Sequence, residues 1–484
     1  MNAGTMKKDF LLLALLLWGT GFLWGQGTMS LEECRKLAIE NNRKLQMADM
    51  QVLAAQEKKR EAFTKYLPGI DAMGVYMRNQ KEINLLEHDA YLPVGTIGQD
   101  GKWTMRPDQV MIGPDGKPVM NNGTPVPKDY ALLPKDAMTV DDRNTALVQV
   151  GLTQPIYMGG KIRAYNQLAG LAEKLAESGR AMELEALIEK TDEAYWQIVS
   201  LANRKGLAVK YVETLRKFAG DMESLHRNGM ATKGDMLSVK VRLNQAEMTL
   251  LRVEDGLSLS RMALNQICGL PVDTLFTLKE EMLETQVGEA LPALDMEQVY
   301  ANRPEISSLA LATDIYKRKE RIARSEYLPT VALTANYLAM TPSFFKGIST
   351  KFDGMWNVGI GVKAPIFHWG ASRKSVRSAR AETEMQRLKL EEVKEMVELQ
   401  VNQARFKMHE AKRKLEVAAD NLSKADENLK YADLGFREGA VPVSNVLEAQ
   451  TAWLSAHTDV LDARIEWKLC EVYLKKAYGV LRNF

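Results

Sequence analysis

The apolar positions of this chain follow two different periods. Val397, Val401, Ala404, Met408, Ala411, Leu415, Ala418, Leu422, Ala425, Leu429, Ala432 and Phe436 recur at spacings of four and three, the heptad seam of a long helix packed along its length. Val446, Ala449, Trp453, Ala456, Val460, Ala463, Trp467, Cys470, Leu474 and Ala477 carry the same spacing through a following helix. An earlier pair of segments, Ala194 to Met222 and Met236 to Ile267, reads alike, with only Lys205 and Ser260 breaking the apolar register. The pattern predicts two antiparallel helical hairpins, over 161–268 and 371–479. A helix from Lys161 to Asn228 would span roughly 100 Å at ~1.5 Å per residue. Leu184, Leu187, Ile188, Tyr195, Val209 and Phe218 lie beside the seam, and a helix apolar on two flanks wants neighbours on both, as in a curved wall of helices.

Four shorter pieces have period two. Val148, Val150 and Leu152 alternate with Gln149, Gly151 and Thr153; Val331, Leu333, Ala335 and Tyr337 alternate with Ala332, Thr334 and Asn336; Val358, Ile360 and Val362 alternate with Gly359, Gly361 and Lys363. A fourth piece alternates less cleanly. These predict strands at about 67–79, 146–157, 328–340 and 356–367, each near the ~9–11 residues a tilted strand needs to cross a bilayer. Tyr66, Tyr76, Tyr157, Tyr327, Tyr337, Trp356, Phe367 and Trp369 gather towards their ends, as in the aromatic girdle of a membrane barrel. Four strands cannot close such a barrel, so several chains would have to contribute.

The two halves are copies. Gln154-Pro155-Ile156-Tyr157-Met158-Gly159-Gly160 matches Ala364-Pro365-Ile366-Phe367-His368-Trp369-Gly370 at an offset of 210 residues, and Arg227, Gly229 and Gly269 match Arg437, Gly439 and Gly479 at the same offset. Upstream, Tyr66-Leu67-Pro68 matches Tyr327-Leu328-Pro329 at 261, so the first copy carries an insertion. The repeats are placed at 26–294 and 295–484. The insertion falls in segment 80–142, where Asp100-Gly101, Asp115-Gly116, Asn122-Gly123 and seven prolines predict an irregular external loop.

Composition narrows the function without naming it. Lys7 and Lys8 precede an apolar run from Phe10 to Trp18, then small or polar residues; residues 1–25 read as a secretory signal peptide. No later apolar stretch approaches the ~20 residues of a membrane-spanning helix. A formal charge of +2 gives no field to gather nucleic acid. The three cysteines make neither a disulfide framework nor a CxxC site. Five scattered histidines show no ligand spacing, and no GxSxG or HExxH motif occurs. Gly229 to Gly234 resembles the start of a phosphate loop, but Asp235 and Met236 stand where it needs Lys and Ser or Thr. No enzyme constellation, metal site or cofactor site is expected.

The signal peptide, the doubled order of strand, loop, strand, Pro-φ-x-x-Gly and helical hairpin, and the segment Gly439-Ala440-Val441-Pro442-Val443-Ser444-Asn445-Val446-Leu447-Glu448-Ala449 together resemble the TolC-like outer-membrane factors. The resemblance covers nearly the whole mature chain. It implies a mainly α fold with a small transmembrane β part, a homotrimer with a 12-strand barrel in outer-membrane lipid, and a long periplasmic helical barrel. It also implies a passive exit duct for efflux or type I secretion, docked through a periplasmic adaptor onto an inner-membrane RND, ABC or MFS pump. Adaptor docking is implied for Arg227, Gly229, Met230, Ala231, Arg437, Gly439, Ala440 and Val441 at the two hairpin tips. A pore constriction is implied for Asp235, Phe436, Asn445 and Glu448. The chain departs from the family pattern where Asn445 replaces an acid and where Phe436 and Val441 stand in place of polar gate residues, which suggests a gate held by apolar packing.

Two other readings compete. A secreted coiled-coil scaffold without a pore would explain the heptads but not four strands placed before the hairpins. A periplasmic adaptor has one hairpin, and this chain repeats the unit.

Overall fold

A computed structural model describes residues 28–279, 292–347 and 349–482; the expected signal peptide lies outside them. The chain divides into two units. One comprises the residues up to Arg60, Tyr165–Glu320 and those from Ser375 onward; the other comprises Glu61–Ala164 and Arg321–Lys374.

The first unit is helical. Its two hairpins are α3 (Lys161–Arg227) with α4 (Lys233–Cys268), and α7 (Ala371–Arg437) with α8 (Val443–Ala477). The heptad residues form their interior. Leu215 and Met222 of α3, Val239 of α4, Val446 of α8 and Val401 of α7 are fully buried, each such side chain stabilising by about 1.5–3 kcal/mol. Helix α3 packs on both α4 and α8, α8 packs on α7, and α4 also meets α8, Val239 and Ala246 sharing one buried cluster with Val443, Val446 and Leu447. Arg216 and Glu247 join α3 to α4 at 2.8 Å, Lys476 and Glu189 join α8 to α3 at 2.6 Å, and Lys414 and Glu466 join α7 to α8 at 2.8 Å. Lys205, which interrupts the seam, points to Glu254 at 3.0 Å, so its charge is paired while its stem packs.

Four more helices, α1 (Leu31–Asn41), α2 (Arg43–Thr64), α5 (Met296–Asn302) and α6 (Pro304–Ser325), lie outside the heptad segments. Helix α1 starts on a capping box, with Glu33 N donating to the Ser30 hydroxyl at 3.3 Å and Ser30 N donating to the Glu33 carboxylate at 2.7 Å. It is fastened to α3 by a buried ion pair, in which Arg35 donates to both carboxylate oxygens of Asp192 at 2.7 and 2.6 Å. The duplication recurs in these junctions. A Cβ on Gly269, which ends α4, would lie 2.4 Å from Cβ of Asn41, and one on Gly479, just past α8, would lie 2.9 Å from Cβ of Asn302. Asn41 and Asn302 are themselves 261 residues apart, so each copy seats the end of its leading helix on the glycine that closes its own hairpin. Cys34, Cys268 and Cys470 are buried thiols outside any disulfide.

The second unit is built on one antiparallel sheet of β1 (Gly69–Arg78), β2 (Asn144–Met158), β3 (Thr330–Thr341) and β4 (Asp353–Lys363), in the order β4-β3-β2-β1. The strand expected at 356–367 is displaced: β4 begins at Asp353 and ends at Lys363. Strand β2 stays paired through a bulge between Pro155 and Tyr157 as far as Met158, because it is an inner strand held by β3. Its counterpart Ala364–Trp369 follows an edge strand, where proline cannot donate and nothing beyond retains the chain. Phe367 and Trp369 pack on each other there, ring centroids 5.0 Å apart. Trp369 adopts φ 51° where the first copy has Gly159 at 62°. Gly159 has no such latitude, since a Cβ would come within 2.8 Å of the Ser325 carbonyl oxygen.

Segment 80–142 is more ordered than its composition suggests. Ile83–Asn84 pairs with Thr139–Val140, Ala90–Pro93 with Tyr130–Leu133, Thr96–Ile97 with Trp103–Thr104, and Met120–Asn121 with Thr124–Pro125. Asp100-Gly101 and Asn122-Gly123, which read as irregular loop, instead close two of these ribbons, and Asp115-Gly116 turns the chain between the bridged Ile112 and Pro118. Asn122 and Gly123 take φ 47° and 81°, the pair of positive values a tight hairpin requires.

Candidate functional site: the hairpin tips and the polar face of the sheet

Each hairpin reverses through the same backbone device. At the first tip Gly229 N donates to His226 O at 3.0 Å and Met230 N to Leu225 O at 2.8 Å; at the second, Gly439 N donates to Phe436 O at 3.0 Å and Ala440 N to Gly435 O at 2.7 Å. Gly229 and Gly439 hold φ 70° and 75°, the left-handed cap that satisfies the last carbonyls of a helix and that glycine adopts without penalty. His226 Nδ1 lies 3.0 Å from Ala231 O and ties the first tip across its base, a contact the sequence did not signal.

The tips then diverge. Thr232 caps α4 in a capping box with Asp235: Asp235 N donates to the Thr232 hydroxyl at 3.0 Å, while that hydroxyl donates to the Asp235 carboxylate at 2.6 Å. The carboxylate of Asp235 is thus folded back on its own helix end, where it also answers the positive pole of the helix. At the second tip the cap is Pro442, which has no side-chain acceptor, and Asn445 occupies the position equivalent to Asp235.

Arg227, Met230, Gly439 and Ala440 are exposed, and Ala231 is half-buried. Arg437 is exposed and paired with Asp433 at 2.8 Å. Phe436 meets Phe218 of α3 edge-on, centroids 5.5 Å apart, beside Met222, Val443 and Leu447. Val441 is half-buried against Gly435, where a Cβ would come within 3.2 Å of its methyl carbon. Phe436 and Val441 therefore pack within one chain, Phe436 joining the two hairpins. Asn445 and Glu448 face solvent from the first turns of α8. The structure brings Phe436, Val441 and the first turn of α8 together; it does not bring Asp235 to Glu448 within this chain through any hydrogen bond or ion pair among the described residues.

The sheet has two unlike faces. Its register aligns Ile70, Leu152, Ala335 and Val358 in one row and Ala72, Val150, Tyr337 and Trp356 in another, all on one face. The other face is mixed: Asp71, Gly151, Asn336 and Asn357 form one polar row on it, with Gln149, Thr153 and Thr334 nearby, while Met73, Val75, Leu147, Leu338, Met340 and Met355 lie on it beyond that row. Both edge strands leave backbone groups unpaired, and β1 runs antiparallel to β4, so a further copy can continue the ladder. Among the described residues no helix is long and apolar enough to cross a membrane, and no group of three or more His, Cys, Asp or Glu could hold a metal ion.

The sequence pattern of the outer membrane efflux proteins matches residues 34–270 and 296–480, which is most of the chain and both repeats. The chain belongs to the outer membrane efflux protein family. As a member of that family it is an outer-membrane protein whose helical part stands in the periplasm.

Among relatives of this efflux-family chain, the protein CyaE of Bordetella pertussis is 26% identical over 267 residues, 54% of this chain and 56% of CyaE. The alkaline protease secretion protein AprF of Pseudomonas aeruginosa is 22% identical over 244 residues, 49% of this chain and 50% of AprF. The chain thus spans about half the length of these relatives. The fold is that of solved channels along nearly its whole length. The transmembrane channel CusC aligns with a TM-score of 0.71 and 15% identity over 94% of this chain and 93% of CusC. The outer-membrane channel OprN aligns with 0.71 and 16% over 93% and 89%.

Proposed function

We propose that the protein is a passive exit duct: three copies close one barrel in the outer membrane and one helical tube in the periplasm, and cargo passes through without being altered. The observation that carries the reading is the four-stranded sheet, mainly apolar on one face and carrying its central polar row on the other, with both edges open. Lipid cannot satisfy the backbone groups of those edges, whereas antiparallel addition of β1 from one copy to β4 of the next satisfies them and turns the apolar face outward to lipid. Helices support the same closure. Helices α4 and α7 leave Val241, Met248 and Leu251, and Met396, Leu399 and Phe406, exposed in rows that a neighbouring copy would cover. A scaffold without a pore has no use for a sheet of this kind.

In this reading the exposed tip residues Arg227, Met230, Arg437 and Ala440, with Gly229 and Gly439 setting the turn and Ala231 and Val441 beside them, meet a periplasmic adaptor that joins the duct to an energised inner-membrane pump. Glu448 and Asn445 face the narrow end of the pore, and Asp235 supports the wall there as a cap. Phe436 and Val441 hold the closed state by packing. The chain itself performs no catalysis and needs no cofactor.

Electron microscopy of protein extracted from outer membranes in mild detergent tests the proposal. A threefold hollow tube of roughly 100 Å, the length set by the helix rise, is expected; a solid bundle recovered from the soluble periplasm would reject it.

A further inference from the structure

The four strands contain only four charged residues, Asp71, Arg78, Asp353 and Lys363. Arg78, Asp353 and Lys363 stand at strand ends. Asp71 does not: its row passes through Gly151 and Asn336 to Asn357, near the middle of β3 and on the polar face. The row is organised. Gln149 Nε2 donates to Asn336 Oδ1 at 3.4 Å, and Asn336 Nδ2 donates to Asn357 Oδ1 at 3.1 Å. Gly151 makes room for this chain of amides, since a Cβ there would lie 2.8 Å from Asn336 Oδ1. No basic side chain shares the row. The nearest one on the polar face of the strands, Lys363, is six residues along β4 from Asn357, about 20 Å away at ~3.4 Å per residue.

From this placement we propose that Asp71 is a charge filter in the wall of the barrel, a ring of three carboxylates set among uncharged amides that favours cations over anions in transit. The inference rests on the duct proposed above, in which the polar face lines the bore and threefold symmetry puts the three carboxylates at one height. Twelve strands ~4.8 Å apart, tilted by ~40°, give a backbone radius of about 12 Å. Side chains reaching ~4 Å inward leave a free radius of about 8 Å, which is within the Debye length of ~10 Å at 0.1 M salt and beyond the ~3 Å at 1 M. The field of Asp71 therefore covers the bore in dilute salt and collapses to the wall in concentrated salt. The amides contribute hydrogen-bonding groups for hydrated ions without cancelling that field.

The test is the reversal potential of single channels in planar bilayers across a KCl gradient based at ~0.1 M, on the Glu448→Ala background so that the tip does not set the ratio. Asp71→Asn, which keeps the side-chain shape, is expected to lower the potassium-to-chloride permeability ratio at least twofold, and Asp71→Lys to invert the preference, with both differences fading near 1 M. Conducting variants with an unchanged ratio in dilute salt would overturn the filter while leaving the duct intact. A parent protein that forms no channel at all would overturn the duct and the filter together.

Discussion

At Gly479 the backbone leaves α8 with φ 71°, and a Cβ built there would lie 2.8 Å from the carbonyl carbon of Asn302 and 3.0 Å from the nitrogen of Arg303. Alanine at this position meets two costs. The left-handed conformation itself costs about 1–2 kcal/mol for a residue with a Cβ. The contact is with backbone, which cannot rotate away as a side-chain end could, so overpacking adds about 1–3 kcal/mol. Gly479→Ala should therefore destabilise by about 2–5 kcal/mol. Gly229 separates the two contributions, because its φ of 70° is the same while a Cβ would meet nothing within 4 Å. Gly229→Ala should lose only the conformational part, about 1–2 kcal/mol. Gly269→Ala belongs with Gly479→Ala, since its Cβ would lie 2.4 Å from Cβ of Asn41. The assay is helical circular dichroism during heating of detergent-purified protein at one fixed scan rate, because a chain of this size unfolds under kinetic control. Gly269→Ala and Gly479→Ala should melt clearly below Gly229→Ala. If all three melt together, the seating of the leading helices on the hairpin ends is not a tight contact, and the reasoning from the duplicated junction fails.

Asp192→Ala removes the carboxylate that accepts two hydrogen bonds from the buried guanidinium of Arg35 and should cost about 3–5 kcal/mol, read in the same melting assay; recovery of stability when Arg35 is also replaced by Met would identify the loss of that pairing as the cause. Asp235→Ala removes the carboxylate half of the box on α4, the bonds accepted from Thr232 N and the Thr232 hydroxyl, and should speed hydrogen exchange at the amides of Thr232 to Met236, for a loss of about 0.3–1 kcal/mol; equal exchange in Asn445→Ala at the second tip would show that the box adds nothing. Burial holds the His457 imidazole below its usual range despite Asp426 beside it. A neutral imidazole favoured in the fold gives stability that is present above the ordinary histidine value and lost as pH falls through the depressed one. Acidification from pH 7.5 should thus lower the melting temperature of the wild type more than that of His457→Gln, and parallel curves would refute it.

The sequence by itself determined the periodic parts. A seam of threes and fours sustained from Val397 to Phe436 has one way to bury its apolar side, and matching glycines at a constant offset revealed the two hairpins and their doubling. Alternation in Val331–Tyr337 and Val358–Val362 likewise forced strands with one apolar face. Helices α2 and α6 escaped because their apolar positions are sparse and their partners lie far along the chain. The end of the last strand was misplaced because the Pro365 segment looks like the Pro155 segment; only the pairing partner separates an inner strand from an edge. The ribbons in segment 80–142 were hidden for the opposite reason, since turn residues announce a reversal but not the short ladders of two to four residues on either side.

The tip candidates were legible as turns, because a left-handed cap needs glycine wherever it occurs. That Phe436 rests on Phe218, or that Asp235 folds back onto Thr232, depends on which surfaces meet in three dimensions. The Asp71 row depends on it entirely. Asp71, Gln149, Asn336 and Asn357 are scattered over almost three hundred positions, each an ordinary polar residue in a strand, and strand register alone lines them up, because side-chain period fixes the face while hydrogen-bond pairing fixes the neighbour.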